Sequence, residues 1–171
     1  MPTLTHDFTE SLPAPPERVF AALTDESQLT RWFAESAEID PRAGGEFRFW
    51  GKYTCGTPAR WQARQKLLRI EPPTLIEFAW PFGDGCDSEV TLTLTRDPNA
   101  SGGEGTILKG RHHFPEAPAT DRPLDLVDDM WRIACANLRG FLANDGDAGI
   151  CLPDYSDAVP RIRPSARRRG A

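Results

Sequence analysis

The stretch PAPPERVFAALTDESQLTRWF, residues 13–33, decides the fold because it places two short helices ahead of a series of strand patterns. A proline is tolerated in the first helical turn, and the apolar residues after it recur at helical spacing, so a helix is predicted over 16–24. Asp25 and Gln28 resemble a capping box, and the following apolar spacing predicts a second helix that ends on Trp32 and Phe33. Helices this short need an apolar surface to lie against.

Downstream of this stretch the apolar period changes from 3.6 to 2, which indicates strands. Phe47 and Phe49 share one predicted strand face after the turn cluster PRAGG at 41–45. Together with the N-terminal segment, the pattern predicts about seven strands joined by short loops. The predicted strands cover residues 5–12, 37–40, 46–50, 60–70, 75–80, 89–96 and 105–114.

The period returns to helical over 123–143, where Val127, Trp131, Leu138 and Phe141 fall on one stripe. A helix of about twenty residues is roughly 30 Å long and can cover one face of a sheet. The element order therefore predicts an α+β domain over residues 1–144, with a curved antiparallel sheet of about six to seven strands wrapped on this helix. Residues 145–171 lack periodicity and predict an extended or disordered basic tail.

Composition and charge exclude several classes of function. The chain has 171 residues, of which 39% are hydrophobic and 26% charged, as in one water-soluble domain. No apolar run is long enough for a membrane span, and the first residues lack a secretory signal pattern, so we expect a cytoplasmic protein. All five charged residues after Pro160 are arginines, which leaves 15 basic and 25 acidic residues in the rest of the chain. This acidic body argues against nucleic acid as a partner.

Four cysteines, at positions 55, 86, 135 and 151, are widely separated and form no pattern of metal-ligand spacing. We therefore expect free thiols, no bound metal and no cofactor. The chain also lacks the glycine-rich phosphate-binding loops, and no pair of carboxylates is forced together by its spacing.

Six segments in order resemble the helix-grip domains of the START/birch-pollen-allergen-like (SRPBCC) superfamily. They are APPERVFAALTDESQLTRWF, AGGEFRF, LLRIEPPTLIEFAW, VTLTLT, GTILKGRHHF and MWRIACANLRGFL, and they span roughly residues 8–143. Within that superfamily the chain is similar to the branch named after the activator of the heat-shock protein 90 ATPase. Each segment alone is a weak indicator of the superfamily, and the resemblance rests on the order and spacing of the six.

The resemblance implies a ligand cavity between the sheet and the long helix, because members of the superfamily bind sterols, lipids, polyketides or plant hormones there. Aromatic residues also dominate ordinary cores, so each side chain predicted for the cavity has an alternative role in the packed core. Trp32 is expected at the cavity mouth. The side chains expected to line the cavity are Phe33, Phe47, Phe49, Trp61, Phe78, Trp80, His112, Phe114, Met130 and Trp131.

His112 and His113 are adjacent on a predicted strand and therefore point to opposite faces. His112 shares its face with Gly110 and Phe114, which favours His112 as the inward residue. Such an imidazole could act as a general base, although a hydrogen-bonded or solvated structural histidine is the commoner case.

Three functions are compatible with these observations. Non-catalytic binding of a hydrophobic small molecule, such as a lipid, a sterol-like or a polyketide-like compound, is the leading interpretation. A protein-interaction role at a chaperone ATPase, with its link to the stress response, follows from the branch name. A cyclase or hydrolase is the third, and no legible acid/base pair supports it. A homodimer stays open, because no surface stripe identifies an interface.

Overall fold

The computed structural model describes residues 2–51, 57, 59–81 and 86–144. The predicted tail at 145–171, and Cys55 and Cys151 with it, lie outside these described residues. The elements in chain order are β1 (Leu4–Leu12), α1 (Pro16–Thr24), α2 (Glu26–Trp32), β2 (Ser36–Ile39), β3 (Phe47–Trp50), β4 (Lys66–Glu71), β5 (Leu75–Ala79), β6 (Glu89–Asp97), β7 (Gly105–Phe114) and α3 (Pro123–Ala143). None of the helices in the described parts is long and apolar enough to cross a membrane.

The seven strands of the described residues form an antiparallel sheet of five, in the order β1-β7-β6-β5-β4, and a separate hairpin of β2 and β3. The prediction of an α+β fold with a long C-terminal helix is confirmed, and the arrangement is consistent with a helix grip. The hairpin stays close to the large sheet through an isolated bridge between Glu46 and Lys66. Backbone hydrogen bonds between Leu67 and the turn glycines Gly44 and Gly45 extend this junction. Gly44 has a φ of 79°, which a glycine adopts without strain.

The core lies between the inward face of the large sheet and the helices. Alternate residues of β6, namely Val90, Leu92 and Leu94, are buried, as the two-residue period predicts. One stripe of α3 is buried against this face. An ion pair between Arg139 of α3 and Glu10 of β1 fastens the helix to the first strand.

Gly110 gives the core a local recess. It lies opposite Phe8 in the β1–β7 pairing. A Cβ atom at position 110 would come within 2.0 Å of the Phe8 ring, so only glycine lets this ring lie flat against β7. The Phe8 ring in turn stacks on Trp131 of α3 at 4.6 Å. The absence of a side chain at Gly110 therefore helps to set the distance between the sheet and α3.

The prediction of a strand beginning at residue 60 is wrong, because Arg60–Gln62 forms a turn of 3₁₀ helix and β4 begins only at Lys66. Local hydrogen bonds explain the difference: the Gln62 side chain accepts from the Ala59 backbone N–H at 3.2 Å. Arg60 also makes a two-pronged ion pair with Glu38 of β2. Trp61 consequently does not alternate with β4 residues and points outward.

Candidate functional site

A small cavity lies where three layers of the fold meet. The α1–α2 pair forms one wall, the inward faces of β3, β5 and β6 form a second, and α3 forms the third. The described side chains around it are all apolar or aromatic. They are Leu23, Leu29, Trp32, Phe33, Phe47, Ile76, Phe78, Leu92 and Trp131.

The cavity has a volume of about 20 Å³. This is close to the space of about 10–15 Å³ that one water molecule needs, and an apolar cavity of this kind stays dry. Pockets that hold drug-sized ligands are larger by an order of magnitude. A larger guest therefore requires the walls to separate.

Polar contacts join α1 to α2 in the wall that these two helices form. The indole N–H of Trp32 donates to the carbonyl of Ala22 at 2.9 Å. The Asp25 side chain accepts from the Gln28 backbone N–H and so caps α2. Arg18 of α1 donates to the Gln28 side chain at 2.6 Å. These contacts fix α1 and α2 to each other. Toward the strands, the packing at the cavity is apolar, and exposed polar contacts join Glu17 to Arg96 of β6 and Glu26 to the Ile39 backbone N–H of β2.

Behind the cavity the aromatic rings form a continuous array. Phe33 meets Phe49 edge-on at 4.7 Å, and Phe49 meets Trp80 at 5.0 Å. Trp80 stacks on His112 at 5.2 Å with the rings almost parallel, and His112 stacks on Phe114 at 4.2 Å. Offset-stacked and edge-to-face pairs of this kind add stability beyond the area that they bury. The array therefore makes the sheet side of the cavity a rigid surface.

His112 is fully buried and binds through both ring nitrogens. The indole N–H of Trp131 donates to Nδ1 at 3.1 Å, and Nε2 lies 2.8 Å from the hydroxyl of Ser88. The Ser88 hydroxyl itself donates to the carbonyl of Trp80 at 2.5 Å. A hydroxyl has one hydrogen, so Ser88 must accept from Nε2–H. One tautomer of neutral imidazole, with the proton on Nε2, satisfies every contact.

The surroundings keep His112 neutral. Burial first, and the electrostatic influence of the neighbouring His6 second, lower the pKa of His112 to about 3. The contact between Ser88 and His112 has the distance of a catalytic serine–histidine pair, but the roles are reversed. The imidazole donates to the serine and cannot take its proton, because Nε2 is already protonated. The geometry makes His112 a structural residue and weighs against a base at this position.

The structure separates the eleven residues predicted for the site into three groups. Those around the cavity are Trp32, Phe33, Phe47, Phe78 and Trp131. Those buried in the core outside the described cavity lining are Phe49, Trp80, His112, Phe114 and Met130. The remaining residue, Trp61, is 75% exposed, and its assignment to the cavity is wrong because it lies on the 3₁₀ turn before β4.

Sequence reasoning missed four cavity residues: Leu23, Leu29, Ile76 and Leu92. Each of them lay on a predicted apolar face, so the signal was present. The expectation concentrated on aromatic residues and passed over these aliphatic ones. Ser88 was also missed, because its pairing with His112 depends on strand register across 24 residues.

His6 and Cys86 are two further ionisable groups at the edge of the described core, and neither has the contacts of a reactive site. His6 of β1 has its Nε2 atom 3.6 Å from Asp128 of α3, which is too long for a hydrogen bond. Cys86 is half-buried, and burial raises the pKa of its thiol, which makes it a weak nucleophile. Within the described ranges no three His, Cys, Asp or Glu side chains come together as metal ligands.

Solved structures of similar fold support this architecture. CalU16 from Micromonospora echinospora is 27% identical, with a TM-score of 0.62, and the match covers 82% of this chain and 77% of that one. MLL2253 from Mesorhizobium loti is 21% identical, with a TM-score of 0.65, over 84% of this chain and 99% of that one. DynU16, from the dynemicin biosynthetic locus, is 21% identical with a TM-score of 0.64, over 84% of this chain and 49% of that one.

No curated protein matches the chain. The sequence model of one family, described as activator of Hsp90 ATPase homolog 1-like protein, matches residues 13–143. That range begins at the loop before α1 and ends at the last residue of α3, so it contains every described residue around the cavity. The family has a ligand-binding fold of SRPBCC type. The chain belongs to the activator of Hsp90 ATPase homolog 1-like family.

Proposed function

We propose that this protein binds a hydrophobic small molecule between the α1–α2 pair, the sheet and α3. The observation that carries the proposal is the apolar cavity where these three layers meet. A cavity leaves its lining without partner atoms, which costs dispersion energy that a guest can restore. The fold of the family supports the same interpretation.

Binding of a lipid-sized or polyketide-sized guest requires the cavity to expand. The α1–α2 pair is the wall that moves in this proposal, because its packing at the cavity is apolar and its polar contacts to the strands, Glu17 with Arg96 and Glu26 with the Ile39 N–H, are exposed. Exposed contacts of this kind contribute little to stability. The sheet side is stiffened by the backbone hydrogen bonds between its strands and by the aromatic array. DynU16, which belongs to the dynemicin biosynthetic locus, makes aromatic polyketides a sensible class of test compound.

Thermal unfolding with a panel of fatty acids, sterols and aromatic polyketides tests the proposal. A guest that binds only the folded protein raises Tm, and the stabilisation grows with the logarithm of the ratio of guest concentration to Kd once that ratio is well above one. Leu92→Phe fills the cavity, whereas Leu68→Phe adds the same ring at an exposed position of β4. We expect a rise in Tm for the wild type and for Leu68→Phe, and none for Leu92→Phe. Equal rises in both variants would place the binding elsewhere.

The family description favours a second candidate, regulation of a chaperone ATPase. In that case the surface of this protein contacts the chaperone, and the cavity is only a packing defect. An Hsp90 ATPase assay with and without the protein separates the two. Stimulation that persists in Leu92→Phe would support the interaction role, and an unchanged rate would remove it. A cytoplasmic location remains part of both proposals.

A further inference from the structure

Two tryptophans line the cavity, and the indole N–H of each is already bonded to the protein. Trp32 donates to the Ala22 carbonyl at 2.9 Å, and Trp131 donates to His112 at 3.1 Å. The other described side chains around the cavity are hydrocarbon. The lining that the structure describes therefore offers a guest no free side-chain hydrogen-bonding partner.

We propose that His112 sets the class of guest: by binding the indole N–H of Trp131 and the hydroxyl of Ser88, it reserves the cavity for hydrocarbon or unsubstituted aromatic groups. This inference rests on the proposed binding function and narrows its ligand class. A hydroxyl or amide buried in such a cavity loses its bonds to water and gains none in return. The part of a ligand that enters is thus apolar, and its polar groups stay at the rim.

His112 is well placed for this role, because it stands one layer behind the cavity. Its ring is clamped between Trp80 and Phe114, at 5.2 Å and 4.2 Å. The clamp keeps Nδ1 aimed at Trp131. Ser88 holds the opposite nitrogen and fixes the tautomer that makes Nδ1 an acceptor. His112 is therefore a positioning residue that acts on the guest through Trp131.

Toluene and phenol test the inference, because they differ only in a methyl group against a hydroxyl. Affinities come from titrations followed by the methyl NMR signals of the protein. We expect the wild type to bind toluene at least tenfold more tightly than phenol. Equal or tighter binding of phenol would overturn the inference while leaving the proposed function intact. Binding of neither compound, together with no Tm rise from the larger panel, would overturn both.

A matched pair of variants tests the role of His112 itself. His112→Ala removes the acceptor and exposes the Trp131 N–H to a guest, so the preference for toluene should fall at least threefold. His112→Gln retains an acceptor and should keep most of the preference. An unchanged preference in a folded His112→Ala would overturn the assignment.

A measurement on the wild type keeps the test valid if His112→Ala does not fold. The indole ¹⁵N–H signal of Trp131 should stay protected from exchange and keep its hydrogen-bonded proton shift when toluene binds. A proton shift that follows phenol but not toluene would show that the guest takes this N–H. That result would contradict the assignment of His112 as its fixed acceptor.

Discussion

At the scale of single residues, His112 shows how burial can convert a reactive side chain into a structural one. Its position on β7 opposite Val90 and His6 places it inside the core, where burial disfavours an ionised imidazole. The ring instead joins Trp131 to Ser88 as a neutral link. A histidine in this setting contributes packing and two hydrogen bonds.

The depressed pKa of His112 predicts a pH-dependent stability. The folded pKa is about 3 and the ordinary value is 6.5, so the unfolded chain binds more protons between these values. Stability therefore falls as the pH is lowered through this window. Between pH 6.5 and 5 this one group should cost about 2 kcal/mol in the free energy of unfolding.

Urea unfolding of the wild type and of His112→Gln between pH 5 and 7 measures this effect. His6 and His113 remain in both proteins, so the difference in pH slope belongs to position 112. The wild type should lose stability more steeply on acidification. Identical slopes would mean that His112 is protonated in the folded protein, against the geometry described here.

Two tryptophans make a second prediction at this scale. Trp32 is buried at the cavity with its N–H bonded, and Trp61 is exposed on the 3₁₀ turn. Trp32→Ala should lower the free energy of unfolding by about 3–5 kcal/mol, because it opens a large cavity. Trp61→Ala should change it by less than about 0.5 kcal/mol. Chemical denaturation of both variants checks this contrast, and a large loss in Trp61→Ala would contradict the placement of that ring.

A second variant, Trp32→Phe, tests the predicted position of Trp32 at the cavity mouth. Guest binding rates in Trp32→Phe, which retains a ring, should rise if the indole limits access. Unchanged rates would leave Trp32 as ordinary core.

At the scale of elements, the α1–α2 pair depends on one cap. Asp25 ends α1 and begins α2, and its carboxylate accepts from the Gln28 N–H and from the Ser27 hydroxyl. Asp25→Ala should cost about 1 kcal/mol, and Asp25→Asn should restore most of it. Because α2 carries Leu29 and Trp32 to the cavity, hydrogen exchange in α2 should rise in Asp25→Ala. Unchanged exchange would show that tertiary packing alone holds α2.

Most elements were predictable because local patterns determine them. The helix at Pro123–Ala143 has a continuous apolar stripe, and β6 has a clean two-residue alternation, so both agree with expectation. The prediction of a strand around Trp61 was wrong because side-chain hydrogen bonds and an ion pair to Glu38 outweigh the strand pattern. The division into a five-stranded sheet and a separate hairpin depends on which strands pair over long range. The alternation of apolar and polar residues does not predict that pairing.

The candidate site was predictable only in part, for a similar reason. Burial of Trp32, Phe33 and Trp131 follows from apolar spacing within one element. The partners of His112 do not, because Ser88 and Trp131 come from different elements and meet through register and helix docking. The cavity itself is a small residual volume between well-packed layers, and no sequence pattern records it.

At the scale of the whole molecule, the fold presses two helical layers onto one sheet face and leaves a dry cavity at their junction. The sheet side is stiffened by strand pairing and by the aromatic array. The α1–α2 side is held by apolar packing at the cavity and by exposed polar contacts of Glu17 with Arg96 and of Glu26 with Ile39. In the proposed binding mode the guest displaces the α1–α2 pair, because exposed polar contacts cost little to break.

Methyl NMR during a titration with toluene shows where the guest binds, because the ring current of the guest shifts nearby methyl signals. We expect shifts for the methyl groups of the cavity residues and none for those of the exposed Leu68 and Leu124. The cavity residues with methyl groups are Leu23, Leu29, Ile76 and Leu92. Shifts confined to Leu68 and Leu124, or no shifts at saturating toluene, would contradict binding at the cavity.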